Sequence, residues 1–177
     1  VTGPQIYKNN LAQIFEKKII SNNSYVKWAA SNNVLFKKKI LTKENIYFDI
    51  NLNKFGMGED QLFFSTLNKL GHKIFWSNSL KVFEKIHYNR DNLRWVIDRS
   101  FRLGVLGLYI DIKLHGLVNG FIINYIKFFY YLIFSFLSLL LINQKNYNYQ
   151  FFNLLSRSIG RLLSPFIFKT IQFYKNK

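Results

Sequence analysis

Two adjacent acidic residues follow a pair of glycines near the middle of the chain, and they are the side chains best suited to chemistry. The segment contains Gly56, Gly58, Glu59 and Asp60 in close succession. Glycine lets the backbone adopt positive φ and lets another molecule come close. A carboxylate presented there could act as a general base that removes a proton from a hydroxyl group. An acidic residue that opens a helix is also an ordinary cap, but here two stand together in a chain that has only nine.

The elements around this segment are predicted from the spacing of apolar residues. A helix is predicted over Glu59–Leu70, and Gly71 lies where a helix commonly ends. Two strands are expected to follow, Lys73–Ser77 and Leu80–Ile86, and the second of them contains Glu84. The order helix, glycine, strand, turn, strand indicates an α/β fold.

The residues before the glycine pair predict shorter elements. Val1–Tyr7 is expected to be extended, and a short amphipathic helix is predicted over Leu11–Ile20. Asn33 lies in a polar loop that is predicted to enter a buried strand, Val34–Phe36. Another short helix is expected to end near Glu44.

The chain is strongly basic, with a formal net charge of +16 and a pI near 10. This charge favours an anionic partner: nucleic acid, acidic lipid or a phosphorylated ligand. A bias toward AT-rich codons would add lysine but not arginine, and four of the six arginines lie in or immediately before one predicted helix, Asp91–Leu108. Arginine suits bidentate recognition of phosphate, although a solvated helix face is the alternative. The residues concerned are Arg90, Arg94, Trp95, Arg99 and Arg102.

The composition changes beyond residue 108, and a domain boundary is predicted there, with 1–108 and 109–177 as the two parts. Phe121–Ile142 is nearly all apolar and, as a helix, would be about 33 Å long, close to the thickness of a bilayer core. It is expected either to span a membrane or to lie in the headgroup region.

The last segment, Phe151–Tyr174, is predicted to be a basic amphipathic helix that binds a membrane surface containing anionic lipids. A helical hairpin that packs on a partner protein is the competing interpretation. The two expected faces are Leu154, Leu155, Leu162 and Leu163 against Arg157, Arg161 and Lys169, with Pro165 bending or ending the helix.

Several classes of function are disfavoured. The chain has no cysteine, which excludes disulfides and cysteine-ligated zinc, and its three histidines lack the spacing of a zinc site. Aromatic residues make up 19% of the chain, but they lie in apolar runs and do not alternate with basic residues on one face. Nucleic acid is therefore not the expected partner.

The order of these motifs resembles that in the C-terminal half of inverting family 2 glycosyltransferases, particularly bacterial enzymes of the succinoglycan type. The resemblance covers roughly residues 1–105, from Gly3-Pro4 onward. It includes Asn33 before an apolar run, Gly58-Glu59-Asp60 before Phe63-Phe64, and the arginine-rich helix. The combination is fairly specific, although no single motif is.

The resemblance implies a GT-A fold, a nucleotide-sugar donor, a saccharide or lipid-linked acceptor, and a divalent metal, Mg²⁺ or Mn²⁺. Asp60 matches the catalytic base of the family and Glu59 precedes it as in the usual pair. Arg94 and Trp95 match the end of the family's Q-x-x-R-W motif, near the donor diphosphate and the acceptor. The remaining binding residues that the resemblance suggests are Arg90, Arg99, Arg102, Asn33 and Gly58.

The chain departs from the family pattern in two places. Asp91 stands where the motif has glutamine, and the metal-binding D-x-D motif does not occur in these 177 residues. The chain is therefore expected to be a fragment that lacks the donor-binding half and is inactive alone, from an enzyme at the cytoplasmic face of the bacterial inner membrane. The alternative is a non-catalytic basic adaptor that docks on membranes.

Overall fold

The computed structural model describes residues 1–7, 20–85, 87, 90–141 and 147–173. The chain forms two compact units, Val1–Ile86 (the N-terminal unit) and His87–Lys177 (the helical unit). The predicted helix at Leu11–Ile20 lies almost entirely outside the described residues. Most of the described chain is helical, and its strands are few and short.

The strands of the N-terminal unit form two separate pairs. Strand β1 (Gln5–Tyr7) runs parallel to a later strand, Val82–Glu84, with Tyr7 opposite Glu84. Strands β2 (Tyr25–Val26) and β3 (Ile74–Phe75) pair in antiparallel fashion. The strand Val82–Glu84, which pairs with β1, is β4. The two strands predicted after residue 71 are therefore confirmed. Each of them, β3 and β4, pairs with a strand that lies earlier in the chain.

The prediction of a buried strand at Val34–Phe36 is wrong. Val34 makes a single antiparallel bridge to Thr2, and Leu35 is 74% exposed. A 3₁₀ helix, Ser31–Asn33, precedes it. The apolar run does not form a strand because a strand needs several paired residues and the bridge from Thr2 pairs Val34 alone, although Phe36 packs against the unit's core.

The helices of the N-terminal unit match their predictions closely. Helix α1 spans Lys39–Glu44 and helix α2 spans Glu59–Lys69. A second 3₁₀ helix, Ile50–Phe55, leads to the glycine pair. Gly71 follows α2 with φ of +93°, a conformation that favours glycine. The core beneath α2 is apolar and aromatic, and comprises Val26, Ala29, Phe63, Phe64, Leu67, Ile74 and Trp76.

The helical unit contains three long helices: α3 (Leu93–His115), α4 (Leu117–Leu141) and α5 (Tyr147–Phe173). The division predicted between residues 108 and 109 falls inside α3, which continues for two further turns to a glycine, Gly116, with φ of +82°. The compact units divide instead between residues 86 and 87.

Helix α4 covers the apolar segment, and over Leu117–Leu140 it is long and apolar enough to cross a membrane. Helix α5 continues through Pro165 without ending there. The predicted faces of α5 are partly reversed: Arg161 is 6% exposed, whereas Leu162 is 43% and Leu163 39% exposed. The reason is Asp111 of α3, whose carboxylate forms an ion pair with the Arg161 guanidinium inside the unit.

Candidate functional site

The glycine before α2 sets the position of the two carboxylates. Gly58 is buried and has φ of +93°, which a residue with a side chain rarely adopts, and its carbonyl oxygen accepts the hydrogen bond from Leu62 N at 2.9 Å that begins the helix. Glu59 and Asp60 therefore occupy the first turn. Negative side chains there interact favourably with the positive end of the helix dipole.

The Asp60 carboxylate is half-buried and hydrogen-bonded to two backbone amides. Its Oδ1 accepts from Gln61 N at 2.7 Å, and its Oδ2 accepts from Ser31 N at 3.3 Å. The second bond is long and lies at the surface, so that oxygen keeps room for another donor. These contacts orient a carboxylate that could receive a proton from a hydroxyl group.

Glu59 differs from its neighbour in its surroundings. Its Oε2 is buried and has no hydrogen-bond partner among the residues that the structure describes. A buried carboxylate oxygen without a donor is unfavourable. A ligand hydroxyl or a cation that approached this turn would relieve that cost.

The 3₁₀ turn at Ser31–Asn33 connects the carboxylates to the parallel strand pair. Ser31 donates to Asp60, and the next side chain, Asn32, donates from Nδ2 to Glu84 Oε2 at 3.1 Å. Gln5 also donates to Glu84. Glu84 ends β4, and the carboxyl ends of parallel strands are common places for ligands. Sequence reasoning placed Glu84 in its strand but did not include it in the site.

Asn33, predicted to bind a ligand, has a structural part in this unit. Its Nδ2 donates to the carbonyl oxygens of Pro4 at 3.1 Å and Leu80 at 2.8 Å, and its own carbonyl accepts from Thr2 Oγ1 at 2.7 Å. Both amide hydrogens are thus engaged in holding two loops together. A role of Asn33 in binding remains a prediction.

The predicted arginines belong to the helical unit and have different environments. The α3 cap is Asn92, whose Oδ1 accepts from Trp95 N at 2.9 Å. The Arg99 guanidinium lies 5.3 Å from the centre of the Trp95 ring, within the range of a cation–π contact. Arg102 forms an ion pair with Asp98 at 2.7 Å.

Arg94 is exposed and lies in a groove between α3 and α5 with a volume of about 370 Å³. One wall holds Arg94 and Asp98, and Ile159 lies on the other. An amphipathic groove of this kind could accept a group with one anionic and one apolar part. Arg90, beside the start of α3, is also exposed.

The described residues include no group of three or more histidine and acidic side chains that could hold a metal ion. The divalent metal remains a prediction from the family resemblance.

Comparison with known proteins leaves the family open. No protein-family model, curated protein or solved structure matches this chain. The α/β character of the N-terminal unit rests on its short strand pairs and α2, and the GT-A fold remains a prediction.

Proposed function

We propose that this chain is the acceptor-side part of an inverting, family 2-like glycosyltransferase in surface polysaccharide or glycolipid synthesis. Its donor would be a nucleotide sugar and its acceptor a saccharide or a lipid-linked hydroxyl, at the cytoplasmic face of the bacterial inner membrane. The supporting observation is the carboxylate pair on the first turn of α2, where Asp60 is oriented by two amides and Glu59 has a buried oxygen without a partner.

In the proposed reaction, Asp60 removes the proton from the acceptor hydroxyl as that oxygen attacks the anomeric carbon of the donor. The bond from that carbon to the diphosphate oxygen breaks, and the nucleoside diphosphate leaves with the bonding electrons. Attack opposite the leaving group inverts the configuration. The carboxylate of Asp60 is suited to this because a surface-facing lone pair remains on Oδ2 beside the weak bond from Ser31.

The diphosphate that leaves is strongly anionic, and the proposal assigns its stabilisation to arginine. A diphosphate-binding role for Arg94 stays a prediction from the family resemblance; within the helical unit, Arg94 is exposed at a groove, whereas Arg102 is paired with Asp98. The metal expected from the resemblance would supply further charge stabilisation, but no cluster among the described residues fits it.

The test uses the protein in its native full length, with labelled nucleotide sugars, Mg²⁺ or Mn²⁺, and bacterial membranes as the acceptor source. Asp60→Asn is expected to lower turnover by about 10²–10⁴-fold, because only the proton transfer is lost, while nucleotide-sugar binding is retained. The matched control is Asp49→Asn. Asp49 is also half-buried, but its carboxylate caps a 3₁₀ helix by accepting from Asn51 N, which asparagine can also do.

Turnover by Asp60→Asn equal to that of the wild type would refute the assignment. If the wild-type protein consumes no nucleotide sugar yet stays on membranes, the non-catalytic adaptor becomes the better interpretation.

A further inference from the structure

The polarity of helices α4 and α5 is the reverse of that in a water-soluble bundle. The buried side chains of α4 and α5 are polar, and those of α5 include Arg161. Examples are Asn124, Ser135 and Ser138 in α4 and Asn153, Ser156 and Ser164 in α5, all no more than 8% exposed. Buried positions in soluble proteins are usually apolar.

Apart from Asn119 near the start of α4, the exposed side chains of the same two helices are apolar or aromatic among the described residues. In α4 they include Ile122, Ile126, Phe129, Ile133 and Leu140, and in α5 every exposed residue among those described is apolar: Ile159, Leu162, Leu163 and Phe166. Leu140 is 81% exposed. A continuous apolar surface of this extent marks an interaction with an apolar environment.

The N-terminal unit provides an internal comparison. There Phe63, Phe64 and Trp76 are at most 2% exposed and form the core. The same chain therefore builds one unit with an apolar core and another in which α4 and α5 bury polar side chains, while α3 buries apolar residues such as Val96, Leu106 and Leu108.

The width of the apolar surface favours lipid over a protein partner. With roughly 100° between successive residues, the exposed residues from Ile122 to Leu140 cover more than half of the α4 circumference. A helix that packs against protein uses a narrower stripe. Hydrocarbon chains can cover a broad surface because they have no fixed shape.

The contacts between the three helices are of the kind expected for helices that pack together in lipid. Gly104 of α3 lies against Gly160 of α5, and a Cβ on Gly104 would come within 2.9 Å of the Gly160 Cα. Polar side chains bond across the helices: Ser100 Oγ donates to Asn153 Oδ1 at 2.7 Å, and Asn124 Nδ2 donates to the Arg161 carbonyl at 3.1 Å. Small residues and interhelical hydrogen bonds replace the hydrophobic effect where the surroundings are apolar.

Helix α3 has a different surface, and this difference sets the orientation. Its exposed residues are Arg94, Asp98, Lys113 and His115, all charged or polar. Asp98 and Lys113 lie about 22 Å apart along α3, less than the roughly 30 Å of a bilayer's hydrocarbon core. A bundle that crossed the bilayer with its axis along the normal would therefore place at least one of these charges in hydrocarbon, where charges are costly.

We propose that α4 and α5 lie within the hydrocarbon of one leaflet, roughly along the membrane plane, with the charged residues of α3 at the water side. Apolar burial of the hairpin holds the protein, rather than attraction of surface lysines to anionic lipid. The Arg94 groove between α3 and α5 then lies at the border between water and lipid. The proposal concerns the helical unit alone and does not depend on glycosyl transfer.

The chain contains no cysteine, so single cysteines can be introduced and spin-labelled without removing native ones. The protein is reconstituted in vesicles of zwitterionic phosphatidylcholine, in 1 M salt. Labels on Ile122→Cys, Ile133→Cys and Leu140→Cys report on α4, and Asp98→Cys reports on α3. Leu35→Cys is the matched control, an exposed apolar position in the N-terminal unit. Circular dichroism confirms that each variant is folded.

The expected result is binding to the neutral vesicles and high accessibility of the α4 labels to oxygen, with little accessibility to a water-soluble nickel complex. The three α4 labels should report similar depths, whereas the Asp98 and Leu35 labels should be accessible to nickel. Power-saturation electron paramagnetic resonance gives both accessibilities.

Four results would overturn the proposal. Nickel-accessible α4 labels, or release from neutral vesicles, would show surface docking. A depth that is greatest at Ile133 and small at Ile122 and Leu140 would show that α4 crosses the bilayer. Labels shielded from both reagents and broadened by a neighbouring label would show a second copy of the chain on this face.

Discussion

The buried ion pair in the helical unit gives the sharpest prediction of stability. Asp111 and Arg161 have side chains that are 3% and 7% exposed, and the Arg161 Nη1 lies 2.5 Å from the Asp111 Oδ2. Lys127 approaches the other carboxylate oxygen at 2.7 Å. Asn124 also contacts Arg161, because its Oδ1 accepts from Nη1 at 3.1 Å. Asp111→Asn would remove the only acidic group in this described cluster.

The cost follows from the burial of the cation that remains. Lys127 is 39% exposed and can turn outward, but the Arg161 guanidinium is packed over Gly107, where a Cβ would overlap it. Removing one partner of a buried pair costs about 3–5 kcal/mol. We therefore expect Asp111→Asn to lower the free energy of unfolding by that amount.

The chain offers a matched control on the same helix. Asp98 pairs with Arg102 at 2.7 Å, with side chains 58% and 35% exposed. Exposed pairs four residues apart on a helix contribute about 0.3–0.5 kcal/mol, so Asp98→Asn should change little. Both variants replace aspartate by asparagine in α3 and differ in burial.

The measurement is equilibrium unfolding of the full chain in non-ionic detergent, followed by far-ultraviolet circular dichroism. Helices α3, α4 and α5 contain 23, 25 and 27 residues and dominate that signal. Adding Arg161→Met to Asp111→Asn should recover part of the loss, because it removes the unpaired cation. If Asp111→Asn costs no more than Asp98→Asn, the pair is solvated and water reaches the polar contacts between the helices.

Three further variants test the packing of each unit and its response to pH. Gly104→Ala should destabilise the helical unit by about 1–3 kcal/mol in detergent unfolding, despite the better helix propensity of alanine, because the new Cβ meets the α5 backbone near Gly160; an unchanged or higher stability would contradict this close packing. Phe63→Ala should lower the free energy of unfolding of the N-terminal unit by about 3–5 kcal/mol, because the side chain is 1% exposed. A loss below about 1 kcal/mol would mean that neighbouring side chains move into the cavity. The hydrogen bond from His72 holds the pKa of Glu44 below its ordinary value of 4.5. Its stabilisation is therefore present above that value and is lost as the pH falls through the folded pKa, so the melting temperature of Glu44→Gln should fall less steeply than that of the wild type below about pH 4.5; parallel curves would show that the pair does not contribute.

Local sequence was enough to place the carboxylate turn and the helix behind it. Gly58 and Gly71 mark the two ends of α2, because each has positive φ. The apolar spacing of Leu62, Phe63 and Leu67 predicts the buried face that the structure has. These are properties of neighbours in the chain, so they can be derived without knowing what packs against them.

Other features depended on contacts between distant residues. Val34–Phe36 has the composition of a strand, but strands exist only through their partners, and Thr2 offers Val34 a single bridge. Glu84 joins the candidate site through Asn32, which is 52 residues away in the chain. No local pattern indicates such a contact.

The sequence by itself determined that the chain would have a carboxylate turn, an arginine-rich helix and a long apolar segment, because composition and spacing specify each of these. Only the tertiary structure decided that Arg161 is buried while Leu162 is exposed. A helical period identifies two faces but does not say which one is inside. Here the face that carries Arg161 is inside because a buried guanidinium needs a carboxylate partner, and Asp111, fifty residues earlier in the chain, provides it.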